Sequence, residues 1–210
     1  MEFYTWLAFV VASSVLLAIP GPTILLVISY AIAHGRRVAL ASVAGVALGD
    51  LVAMSASLLG LGAIVLTSAK LFLVLKWVGA IYLVYLGIKM IRSAKMASFA
   101  EPEDGQGAVK SGVFWHAAAV TALNPKSIAF FIAFVPQFLK PEAPLGGQFV
   151  VLIGTFVGLA ALNALAYALL TDLLRKRILR PAVLPWLTRL GGGLLVAMGV
   201  GVAALRKATA

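Results

Sequence analysis

The chain has 210 residues, of which 62% are hydrophobic and 11% charged, and its mean hydropathy is +1.06. A soluble domain carries about 25% charged residues, so seven acids and 17 bases are too few to coat a globule of this size. That excludes a cytosolic enzyme, a disordered chain and a nucleic-acid module as first readings, and leaves one polytopic membrane domain over residues 1–210. A span takes about 20 mostly apolar residues to cross a core about 30 Å thick, and this length holds roughly six of them.

Gaps between charges place the spans in chain order. Residues 3–35 carry no formal charge and are interrupted by Gly21 and Pro22. The N-terminal MEFYTWLAFV lacks the basic region of a signal peptide, so this segment is expected to stay as the first span. Residues 38–69 carry a single charge, Asp50, and residues 71–92 form a shorter third span. The acidic, Gly-containing stretch 97–110 reads as an exposed loop. Residues 111–139 are apolar except for Lys126, residues 143–171 are uncharged, residues 172–180 are strongly basic, and residues 183–205 make the last span.

The net charge of +10 is spread as short basic runs between apolar blocks, among them Arg36-Arg37, Lys89/Arg92/Lys95 and Arg175-Lys176-Arg177-Arg180. This is the positive-inside pattern and not a basic groove for phosphates. With the N-terminus outside, the inner loops hold 11 Lys and Arg against 5 outside, which favours N-out. Cysteine is absent, which removes disulfides, thiol redox chemistry and Cys-ligated metals.

The loop divides the chain into a first repeat over about 1–95 and a second over about 112–210, joined by a polar stretch at about 96–111. A shift of 113 positions brings Ala41 onto Gly154, Gly45 onto Gly158, Asp50 onto Asn163, Lys76 onto Arg189 and Gly79 onto Gly192; a shift of 103 brings Pro22 onto Pro125. Three spans per unit is an odd number, so the two units must be inverted relative to each other, as in secondary transporters.

Pro20-Gly21-Pro22-Thr23 lies deep in an uncharged run. Pro20 ends one helix, and Pro22 suits the first position of another, with Gly21 as its cap. Asn124-Pro125-Lys126 has the same design: Asn caps, Pro begins, and Lys126 falls in the first turn, where the helix dipole disfavours a cation. Each break frees N–H groups at membrane depth, where irregular backbone is tolerated if it lines a cavity or is buried. A plain kink is the structural alternative for the first, and a snorkelling lysine for the second.

Asp50 follows Arg37 by 13 residues, which is about 20 Å along a helix and close to mid-membrane. A carboxylate there is expensive unless paired or hydrated, and marks a substrate or proton site. A salt bridge to Lys126 is the structural alternative. Gly45 and Gly49, with Ala41, Ala53 and Ser57, recur every four residues and form a smooth packing face; Gly154 and Gly158 do the same in span five. These faces suit a homodimer or internal packing equally well. His34 and His116 stand isolated, Trp6, Tyr82, Tyr85, Trp115 and Trp186 read as interface anchors, Asp172 beside Arg175 reads as an interfacial pair, and Gly191-Gly192-Gly193 as close packing. No nucleophile–base set and no metal-ligand cluster is present in the sequence, so neither an enzyme nor a metal or organic cofactor is expected.

Together these motifs resemble the LysE/RhtB family of bacterial amino-acid exporters. The resemblance rests on Pro20-Gly21-Pro22, on Gly35, Gly45 and Gly49-Asp50, on the Gly79–Gly87 segment and on Asn124-Pro125-Lys126, and it covers nearly the whole chain. Thr23 departs from the Asn that family members often carry after Pro-Gly-Pro. The resemblance implies efflux of amino acids or derivatives across the bacterial inner membrane, driven by an ion gradient.

The expectation is therefore an all-α integral membrane protein of six transmembrane helices in two inverted three-helix repeats, with helices one and four broken at Pro22 and Pro125. Its partners would be the lipid bilayer, a small amino-acid substrate and protons or sodium, with no nucleic acid. Gly21, Pro22, Thr23, Asn124, Pro125, Lys126 and Asn163 would bind substrate, and Asp50 would couple the proton. An exporter or channel for another small solute or cation is the competing reading.

Overall fold

The computed structural model describes residues 1–67, 69–94, 110–140, 143–178 and 183–204. Among them the chain is all helix. Eight α-helices follow in order: α1 (Phe3–Ala18), α2 (Pro22–His34), α3 (Arg36–Thr67), α4 (Ala69–Ser93), α5 (Lys110–Ala122), α6 (Pro125–Ala133), α7 (Leu145–Ile178) and α8 (Val183–Ala204). A 3-10 turn, Val135–Phe138, follows α6. Residues 97–109 of the expected loop lie outside the described residues, as do the side chains of Lys76, Asp172 and the basic run 175–177.

Proline and glycine chemistry places the breaks. Pro22 and Pro125 each occupy the start of a helix, where the missing N–H costs nothing. α1 and α2 meet at 54°, and the α5 pair with α6 and its 3-10 turn at 44°. The α2–α3 corner uses Gly35 at φ +77°, a conformation open to glycine and strained for any side chain. α3 and α7 are each long and apolar enough to cross a bilayer, over Arg36–Gly60 and Leu145–Thr171, and each bent pair is so when taken as one. Large apolar side chains stand exposed on these helices, including Leu59, Val150 and Leu162. An outer face of this kind suits lipid and would be costly in water.

Close approach depends on small residues. α5 lies against Gly45 and Gly49 of α3: a methyl on Gly45 would strike the Phe114 carbonyl, and one on Gly49 the Ala118 carbonyl. α4 and α8 pack through Gly87 and Gly192, whose backbones leave no room for a side chain on either. Gly191 seats against Ile19. Gly154 and Gly158 differ from the packing role expected of them. Both are exposed on α7, with nothing among the described residues within 4 Å of an added Cβ. α1 instead meets α7 through Trp6, whose indole donates to Thr155 Oγ1 at 3.0 Å.

Two apolar layers result. One gathers Phe9, Leu16, Met54, Phe130, Phe131 and Phe156, with the Phe131 and Phe156 rings edge-to-face at 4.8 Å. The other gathers Ile24, Val27, Val46, Val113, Ala117 and Ala164. The broken ends of α1, α2, α5 and α6 meet where these layers join, and that junction holds the buried Asp50 and Lys126.

Candidate functional site

The junction encloses a cavity lined by Gly21, Thr23, Asn124, Lys126, Ser127 and Asp50, with Leu16 and Ala160 from one apolar layer and Ile24 and Val46 from the other. Its free volume is about 20 Å³. That admits a single water, since one needs roughly 10–15 Å³. A small-molecule site in use is an order of magnitude larger, about 300 Å³ or more. In this conformation the site has no room for an amino acid.

Asn124 ties the two breaks together. Its Oδ1 accepts from the Lys126 backbone N–H at 3.0 Å, which caps α6, and its Nδ2 donates to Thr23 Oγ1 at 3.0 Å. Thr23 sits in the first turn of α2, so one side chain holds both helix starts at the cavity. Both helices point their N-terminal ends, with unpaired N–H groups and positive potential, at this place. Pro22 and Pro125 themselves are exposed; they set the backbone and leave the lining to their neighbours.

Asp50 is 3% exposed, and its Oδ1 finds no hydrogen-bond partner among the described residues. Helix α3 delivers it because Gly49 allows α5 to come close, with Thr121 against the same glycine. A buried acceptor with no partner costs free energy, more so when charged. Sites that bind and release a ligand retain such groups.

Lys126 is buried too, and it does not turn to Asp50. Its Nζ donates to the carbonyls of Leu16 and Ile19, both at 3.1 Å. The carbonyls between them are held from α7: Asn163 Nδ2 donates to Leu17 O and Tyr167 O–H to Ala18 O, both at 2.9 Å. Four successive carbonyls at the end of α1 thus have donors. A helix C-terminus carries negative potential and orphan carbonyls, so a cation there is favourable. This cradle was not legible in the sequence, because backbone acceptors leave no mark in residue type. Tyr167 had a faint signal, four residues beyond Asn163 on the same helical face. Asn163 stands outside the cavity lining.

His116 is not isolated. Its Nδ1 lies 2.7 Å from the Tyr30 hydroxyl, joining α5 to α2, while the His34 ring lies tilted at 52° to the same tyrosine, 6.0 Å between centroids. At the opposite ends of α1 and α6, Lys140 pairs with Glu2 and its hydrogen bond holds that exposed carboxyl below its ordinary value of 4.5. Trp115 and Trp186 are exposed, as side chains at a membrane interface would be. No group of three or more His, Cys, Asp or Glu that could hold a metal occurs among the described residues.

A family model described as LysE type translocator matches residues 14–206. Over 208 residues the chain is 32% identical to a homoserine/homoserine lactone efflux protein of Salmonella typhimurium, covering 99% of this chain and 100% of that protein. It is 30% identical over 205 residues to a leucine efflux protein of an Enterobacter species, covering 97% and 94%. An uncharacterized membrane protein of Vibrio cholerae is 30% identical over 200 residues, covering 95% and 97%. No solved structure matches. With a family match over most of its length, an all-helical body and an apolar outer face, the chain belongs to the LysE family of translocators, and it is a membrane transporter, not an enzyme.

Proposed function

We propose that this protein is a secondary transporter that exports neutral amino acids or their close derivatives across the bacterial inner membrane in exchange for protons. One observation carries the reading. Asp50, whose Oδ1 has no hydrogen-bond partner among the described residues, lines the cavity on which two helix N-termini converge. A zwitterion has the complementary pair of groups. Its carboxylate suits the N–H groups at Thr23–Ile24 and Ser127, and its ammonium suits Asp50. Substrate and proton then compete for one carboxylate, which gives exchange. The relatives named for homoserine, homoserine lactone and leucine efflux support a small neutral substrate.

The architecture that serves this function is six spans in two inverted repeats, with the N-terminus outside. α1–α2, α3 and α4 form one unit; α5–α6, α7 and α8 form the other. The paired bends of 54° and 44° at matched prolines support that correspondence. Because the cavity has about 20 Å³ of room, the helices around it must part to admit a substrate. Motion of one repeat against the other would open the two sides in turn.

The test is efflux from cells preloaded by dipeptide feeding, scanning the released amino acids at several pH and sodium gradients. Selective release of homoserine or leucine that follows the pH gradient is expected, with loss of coupling in Asp50→Asn. Full proton-coupled efflux by Asp50→Asn would sink the assignment of that residue. Absence of any amino-acid release from a well-expressed protein would favour another small solute or a cation.

A further inference from the structure

We propose that the carbonyl cradle at the end of α1 is the subsite for the substrate's ammonium, and that Lys126 occupies it as a tethered stand-in until substrate arrives. The proposal rests on the exporter reading for the identity of the ligand, and on geometry for the rest.

The four carbonyls are not held alike. Leu17 O and Ala18 O take neutral donors, Asn163 and Tyr167, from one rigid helix. Leu16 O and Ile19 O take the ammonium of Lys126, on a flexible four-carbon stem from another. The first pair of bonds fixes the helix end. The second pair is the one a different cation can replace.

Lys126 is also in an awkward place for a purely structural cap. It stands in the first turn of α6, where the dipole opposes a cation. A buried cation with a purely structural role would be expected to pair with the nearby carboxylate. Asp50 lines the same cavity, yet its Oδ1 has no partner while Lys126 reaches for neutral carbonyls. The site therefore keeps, side by side, an acceptor set for an ammonium and a carboxylate oxygen with no hydrogen bond among the described residues. An incoming ammonium has three donors. It would take Leu16 O, Ile19 O and Asp50 together, matching all three. The displaced Lys126 would then swing out of the cradle on its flexible stem, leaving the ligand's carboxylate to the N–H groups of the two helix starts. One cation leaves the cradle as another enters it, so the buried charge stays balanced through the exchange.

The experiment compares two ligands that differ only at the amine: L-leucine and its 2-hydroxy-acid analogue, 2-hydroxyisocaproate. Binding of each is measured to purified wild type and to Lys126→Gln and Lys126→Arg. With the competing ammonium removed, Lys126→Gln should bind leucine about tenfold tighter and the hydroxy acid no tighter. Lys126→Arg, which keeps the cap with a harder-held fork, should weaken leucine alone. Equal loss of both ligands in Lys126→Gln would overturn the proposal and make Lys126 the carboxylate's partner. If wild type binds neither leucine nor homoserine, the exporter reading fails, and a second arm still decides the cradle. In Lys126→Ala, ethylammonium should raise the melting temperature where sodium and tetramethylammonium, which lacks N–H donors, do not. No such selectivity would overturn the cradle as an ammonium site.

Discussion

Replacing Asn124 by alanine removes a side chain that binds both helix starts. The loss has two parts. The α6 cap, a 3.0 Å bond to the Lys126 N–H, is worth about 1 kcal/mol. The bridge to Thr23 Oγ1, also 3.0 Å, is a buried bond between helices, worth about 0.6 kcal/mol on average and up to about 1.7 in membrane proteins. Together they come to roughly 2 kcal/mol. For a chain of this length that is a fall of about 4–8 °C in melting temperature. Thermal unfolding in detergent measures it, and Thr23→Ala with the double variant completes a cycle. The cycle should return a coupling of about 0.6–1.7 kcal/mol. Additive effects, with no coupling, would refute the claim that Asn124 joins the two breaks, even if the single variant were destabilised.

Other predictions follow from the same contacts. Gly45→Val should destabilise by roughly 1–3 kcal/mol or more, because its side chain meets the Phe114 backbone, whereas Gly158→Val should stay within about 0.5 kcal/mol; equal losses in thermal unfolding would contradict the packing described. Gly35→Ala should cost about 1 kcal/mol or more, since alanine is strained at φ +77°, and an unchanged melting temperature would show that the corner relaxes. The Glu2 carboxyl is held below 4.5 by Lys140, so its contact contributes above the ordinary carboxyl value and is lost as pH falls through the lowered one. A carboxyl titration by infrared or NMR should show Glu2 returning to the ordinary range in Lys140→Met; an unmoved midpoint would remove Lys140 as the cause.

What the sequence determined by itself was local. Pro20, Gly21, Pro22 and Asn124-Pro125 dictate helix ends through covalent geometry, and the bends fall there. Long uncharged runs dictate an apolar outer face, because a side chain's transfer energy is its own. Asp50 and Lys126 stood out because a charge in such a run is rare, and both line the cavity. What only the tertiary structure decided is which groups those side chains meet. Lys126 reaches carbonyls 110 and 107 positions away, and Asn163 one that is 146 positions away. Gly45 and Gly158 are alike in the sequence, yet one is covered by α5 and the other by none of the described residues. His116 gained a partner in Tyr30, 86 positions earlier. A break is written in the few residues that make it. The partner of a long polar side chain is chosen by how distant segments come together, and in this protein that choice placed a lysine on the backbone of a broken helix instead of on its carboxylate.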